Sequence, residues 1–174
     1  MTAELDDFQA MAELPGDEDG PPLEHVHPGY KNVLRVRMLV IWIAPIIAAA
    51  ILDSAVLEDS MFRWLPTIAV PLLAAIAITV APQRIYRRLR YRLTDRLLHV
   101  VRGWLFHTDT VVPFVRVQHL DVTRGPVEKL FGTATLVVHT AGTHNSIVTV
   151  PGLAPDRAAE IRDVIREHIR TDFD

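Results

Sequence analysis

The stretch YRLTDRLLHVVRGWLFHTDTVVPFVRVQHLDV, Tyr91 to Val122, decides how this chain is read. Its apolar and polar residues alternate with a period near two, and β-branched side chains are frequent, as expected of half-buried strands. Thr94-Asp95 is a turn-compatible pair between the first two strands, and Pro113 divides the next two. Downstream, GPVEKLFG (residues 125–132) has glycine at both ends and suits a turn plus one helical turn. Gly125, Gly132 and Gly142 are all expected at turns that need positive φ or close packing. TATLVVHTAG (133–142) and NSIVTVPG (145–152) alternate again, with AGTHN as the hairpin loop between them. APDRAAEIRDVIREHI (154–169) changes to a helical period. Pro155 suits its first turn and Asp156 the positive end of its dipole. Ala158, Ile161, Ile165 and Ile169 form one apolar stripe with Val164 at its edge. That stripe needs an apolar surface, and the preceding strands supply one.

The residues upstream have a different character. MLVIWIAPIIAAAIL (38–52) is uncharged, Asp53 interrupts it, and Ser54–Leu57 are again mostly apolar. WLPTIAVPLLAAIAITVA (64–81) has no charge at all. At about 1.5 Å per residue, roughly 20 residues cross ~30 Å of hydrocarbon. Residues 38–57 and 64–81 are therefore expected to be two transmembrane helices. Pro45, Pro66 and Pro71 do not exclude this, because membrane helices tolerate proline. Trp42 and Trp64 are candidate interface anchors. Asp53, a few residues before Glu58, is expected at the outer headgroups.

Charge is segregated along the chain. Residues 1–30 hold eight Asp and Glu and no Lys or Arg, whereas residues 31–174 carry 18 basic against 13 acidic side chains. Residues 1–29, rich in Pro, Gly and acid, are expected to be a disordered tail. With no basic n-region or apolar h-region, this start does not have a signal peptide's pattern. Lys31, Arg35 and Arg37 precede the first apolar run, and Arg84, Arg87, Arg88, Arg90 and Arg92 follow the second. The short loop between the runs has only Arg63 against Asp53, Glu58 and Asp59. Basic flanks stay cytoplasmic, so both termini are expected in the cytoplasm.

Cysteine is absent, which excludes disulfides, thiolate nucleophiles and Cys-based zinc sites. There is no GxSxG, GxGxxG, P-loop or HExxH pattern, so no enzyme and no cofactor is expected. Asp121, Glu128 and Ser146 make no recognisable hydrolytic set. Seven of the eight histidines are scattered: His25 and His27 in the tail, His99, His107, His119 and His139 on different strands, His144 in a loop. A metal site is not expected from that spacing, and neither is a nucleic-acid partner. The one candidate contact set is the basic run Arg84, Arg87, Arg88, Arg90, Arg92 and Arg96, beside the membrane. It explains topology by itself, and it suits anionic lipid headgroups at about 1 kcal/mol per basic residue.

The segments YRLTDRLLHVVRGWL, VVPFVRVQHLDVTRGPVEKLFGTATLVVHTAG and the terminal VPGL plus amphipathic helix resemble the bacterial pleckstrin-homology domains of the membrane-anchored YdbS-like type. The resemblance covers about residues 85–170, and the preceding helix pair matches the usual layout. It implies a bent antiparallel sandwich, or partly open barrel, capped by the C-terminal helix. The expected organisation is thus an acidic tail (1–29), a membrane hairpin (30–84) and a cytoplasmic pleckstrin-homology-like domain (85–174) at the bacterial inner membrane. The resemblance also implies a non-enzymatic interaction module that scaffolds a membrane complex, with itself or a larger membrane protein of similar domains as partner. The alternative is a sensor of anionic lipid headgroups.

Overall fold

The computed structural model describes residues 22–55, 60–61, 64–103, 107–141 and 147–171. Most of the acidic tail, residues 1–21, lies outside them. Two long helices come first, α1 (Tyr30–Ala55) and α2 (Leu65–Arg88). Their apolar side chains are distributed as in lipid, not as in a soluble core. Small residues Ala49 and Ala74 are buried, while Leu39, Ile43, Ile47, Leu72 and Ile76 are exposed. Small residues let membrane helices approach closely, and large ones meet the acyl chains.

Both helices extend past the apolar runs that mark them in the sequence. α1 begins eight residues before Met38, and α2 runs on through Arg84, Arg87 and Arg88. The extensions are helical because their inner faces are buried. Tyr30 and Leu34 of α1 belong to the same apolar cluster as Leu98, Val100, Leu136 and Val150 of the strands, with Val33, Ile85 and Tyr86 packed against it. The helix accordingly continues from Pro82 through Arg88, and a single residue, Leu89, separates α2 from the next strand.

The strands form two antiparallel sheets. One has the order β1 (Glu24–His25), β2 (Arg90–Leu93), β3 (Leu97–Arg102), β4 (Thr108–Pro113). The other has the order β5 (Val117–Thr123), β6 (Ala134–Thr140), β7 (Ile147–Leu153). A 3-10 turn at Phe114–Arg116 passes the chain between sheets, and a short helix α3 (Pro126–Leu130) joins β5 to β6. α4 (Pro155–Thr171) covers the core with Ala158, Ile161 and Ile165, all fully buried. This is the capped antiparallel sandwich that the resemblance implies.

Strand β1 corrects the extent of the tail. Glu24 pairs with Tyr91 and His25 with Arg90, so residues 24–27 belong to the β-domain. Val26 is 2% exposed in its core, and the His27 amide donates to the Gly152 carbonyl at 2.7 Å. Two residues of strand give no readable period, and their acidic, proline-rich surroundings resemble those of a loop. The core therefore does not divide at residue 85: its first contributions come from residues 26–34. Of the three turn glycines, Gly132 has φ +63°, whereas Gly125 has an ordinary φ of −69°. Gly142 lies outside the described residues.

Candidate functional site

Arg84, Arg87 and Arg88 are exposed on the last two turns of α2, at spacings of three and four that share one helix face. Arg90 and Arg92 sit two apart on β2, on the opposite side of the strand from buried Tyr91. Arg96 is in the turn after β2, at the far end of that strand, so it stands apart from the other five. In its place the fold supplies three cations from α1. The Lys31 ammonium lies 4.3 Å from the centre of the Tyr86 ring, which brings the first turn of α1 against the last turn of α2. Arg35 and Arg37 follow on α1, both exposed, with Arg35 donating to Asn32 at 3.1 Å. Lys31, Arg35, Arg37, Arg84, Arg87 and Arg88 thus form a basic belt around the domain-side end of the hairpin. The sequence signal was present on both flanks, but joining them needed the two helices to be paired.

A second polar cluster locks the domain to its N-terminal strand. The Tyr91 hydroxyl donates to Glu24 at 2.7 Å, and Arg157 of α4 pairs with Glu24 at 2.9 Å and with Glu160 at 2.9 Å. Burial, followed by the hydrogen bond to Glu24, pushes the Tyr91 hydroxyl above the usual tyrosine range. The Glu160 carboxylate, then Tyr91, raises Arg157 further beyond its already high value. From sequence, Glu24 is merely one more acidic tail residue.

At the other end of the hairpin Asp53 is 6% exposed. Its carboxylate is turned inward, where the Thr67 hydroxyl of α2 donates to Oδ2 at 2.8 Å. Asp53 therefore faces the neighbouring helix, and Thr67 sits in the first turn of that helix, where an anion is favoured.

The histidines are partly gathered by strand pairing. His119 and His139 are register partners, and Asp121 lies 3.0 Å from the first and 3.5 Å from the second. His99, nearly buried, bonds Asp109 across the β3–β4 pair. Among the described residues no group of three or more His, Asp or Glu side chains is placed to hold a metal ion. Among the described residues, clefts open on the sandwich. One, of about 380 Å³, runs along β4 to Arg116 and Thr140. Another, of about 170 Å³, lies between the β5 end of the second sheet and Arg166, Ile169 and Arg170 of α4. β4 and β5 are each an outer strand of their sheet, as are β1 and β7.

The family model described as "Bacterial PH domain" matches residues 38–169. The chain is 30% identical over 159 residues to the "UPF0699 transmembrane protein YdbS" of Bacillus subtilis (strain 168), covering 88% of this chain and 96% of that protein. No solved structure matches.

Proposed function

Because this chain belongs to the bacterial PH domain family and shares most of its length with a transmembrane relative, we propose that it is a membrane-anchored, non-enzymatic interaction module. In this reading it scaffolds a complex in the bacterial inner membrane, both termini are cytoplasmic, and its partner is another copy or a larger membrane protein with similar domains. The observation that carries the reading is the shared core: Tyr30, Leu34 and Leu89 pack with the strands. The hairpin and the sandwich are thereby one body. A domain seated in this way presents the outer strands β4 and β5 and the exposed Val111, Val115 and Ile147 to neighbours in the same membrane. Unpaired strand edges and exposed apolar side chains are ordinary docking surfaces for a like domain.

Cross-linking in native membranes tests this. Capture of the same chain or of a protein with similar domains through residues 90–154 is the expected result. Recovery of monomer alone would overturn it. Reporter fusions at Asp174 and within Glu58–Ser60 test the orientation, with a cytoplasmic signal expected at the first and an external one at the second.

The basic belt favours a second reading, in which the domain senses anionic headgroups. Binding of the reconstituted chain to soluble headgroup analogues that falls steeply with salt would favour it.

A further inference from the structure

We propose that α3 is a third membrane contact: Leu130, with Lys129 beside it, rests in the domain-side leaflet of the bilayer that α1 and α2 cross. The inference rests on the reading of those two helices as membrane-spanning, and goes beyond it to the β-domain itself.

Leu130 is 76% exposed and Lys129 is exposed next to it. Their exposure does not come from a loose end. The Gly125 amide donates to Glu128 Oε2 at 2.8 Å and the Thr135 hydroxyl to Glu128 Oε1 at 2.6 Å. The Thr133 amide then closes on the Glu128 carbonyl at 2.9 Å. The turn is thus pinned at both ends, and Leu130 is held out from the core by its own backbone. An apolar side chain beside a lysine is the pattern of a segment lying in an interface, where the apolar part enters and the ammonium stays among headgroups.

The position of α3 fits that role. It packs against α1, and the Phe131 carbonyl oxygen comes so near Gly29 that a Cβ there would lie 2.3 Å from it. Gly29 precedes Met38, where the uncharged run begins, by nine residues. On a helix that is about 13 Å. A helix with its side chains has a radius of about 5–6 Å, and the headgroup layer is about 5–7 Å thick, so together they span that distance. Val115 is equally exposed at 78%, but it is placed differently. It lies beside Val117, which pairs with Thr140 near the β6–β7 hairpin loop. β7 runs from that loop at Ile147 to Gly152, where a Cβ would lie 2.5 Å from the Tyr30 ring of α1. Val115 is therefore at the far end of the sandwich, and Leu130 at the membrane end.

The chain has no cysteine, so single-cysteine variants need no background replacement. Leu130→Cys, Ile43→Cys on the lipid face of α1 and Ile147→Cys at the far end are each labelled with an environment-sensitive nitrobenzoxadiazole. Each full-length variant is reconstituted in phosphatidylcholine–phosphatidylglycerol vesicles with and without brominated acyl chains. The expected result is blue-shifted emission, quenched by bromine, at 43 and 130, and emission that bromine does not quench at 147. Lipid-like emission at 43 with water-like emission at 130 would overturn the third contact while leaving the hairpin in the membrane. Quenching at 147 as strong as at 130 would also overturn it, because the contact would not be local. Water-like emission at 43 would overturn the membrane reading and this inference together.

Discussion

Gly152 has φ +77°, and a Cβ there would meet three atoms of the Tyr30 side chain at 2.5–2.9 Å. Gly152→Ala should therefore destabilise the domain by at least about 1–2 kcal/mol from backbone strain alone, plus the displacement of Tyr30. Thermal unfolding of the detergent-solubilised chain measures this. Gly132, with φ +63° but nothing within 4 Å, should lose only the strain component on the same change. Tyr91 makes a pH-dependent contribution of definite sign. Its folded pKa is raised, so its neutral form is the one stabilised by folding. That contribution is complete below the unfolded value near 10 and disappears as pH rises through the folded value. Tyr91→Phe should cost about 1 kcal/mol at neutral pH, the net worth of one hydrogen bond. It should also flatten the loss of stability above pH 10, read from melting temperatures across an alkaline series.

At the scale of elements, α4 is the most direct test of the core. Ile161 and Ile165 are fully buried, and each contributes about 1.5–3 kcal/mol by burial. Ile161→Asp or Ile165→Asp should abolish protease resistance of the β-domain without preventing membrane insertion. Arg162, whose visible partner is the adjacent exposed Asp163, should tolerate alanine. The four isoleucine and alanine positions of this helix were legible because α4 is long enough to repeat its period, and β2 to β7 were legible by alternation. Strand β1 was not, since Glu24 and His25 acquire their role from Tyr91, Arg90 and Arg157, all distant in sequence. The helices extend beyond the uncharged runs for a related reason. An uncharged run locates hydrocarbon, whereas Tyr30, Leu34 and Ile85 continue each helix by burying themselves in another domain. Of the basic set, Arg84, Arg87 and Arg88 could be grouped by helical spacing, but Lys31 joins them only through its contact with Tyr86.

For the molecule as a whole, the shared core predicts that the sandwich depends on its anchor. Leu34→Ala, a change in α1, should weaken the β-domain by about 2–5 kcal/mol, as for other buried leucines. A fragment of residues 85–174 alone should be more easily digested than the same strands in the full chain, because it lacks Val26, Tyr30 and Leu34. Limited proteolysis of both in matched detergent compares them. The single residue between α2 and β2 has a mechanical consequence as well. With β1 also fixed to the Gly152 carbonyl through His27, neither connection contains a hinge. A 20-residue span is about 30 Å long, so in hydrocarbon about 27 Å thick it must lean by roughly 25° to stay covered. A sandwich mounted without a hinge leans with it, so that a few ångströms of bilayer thickness become an angle at the far strands. The hairpin then acts as a lever whose far arm is the sandwich.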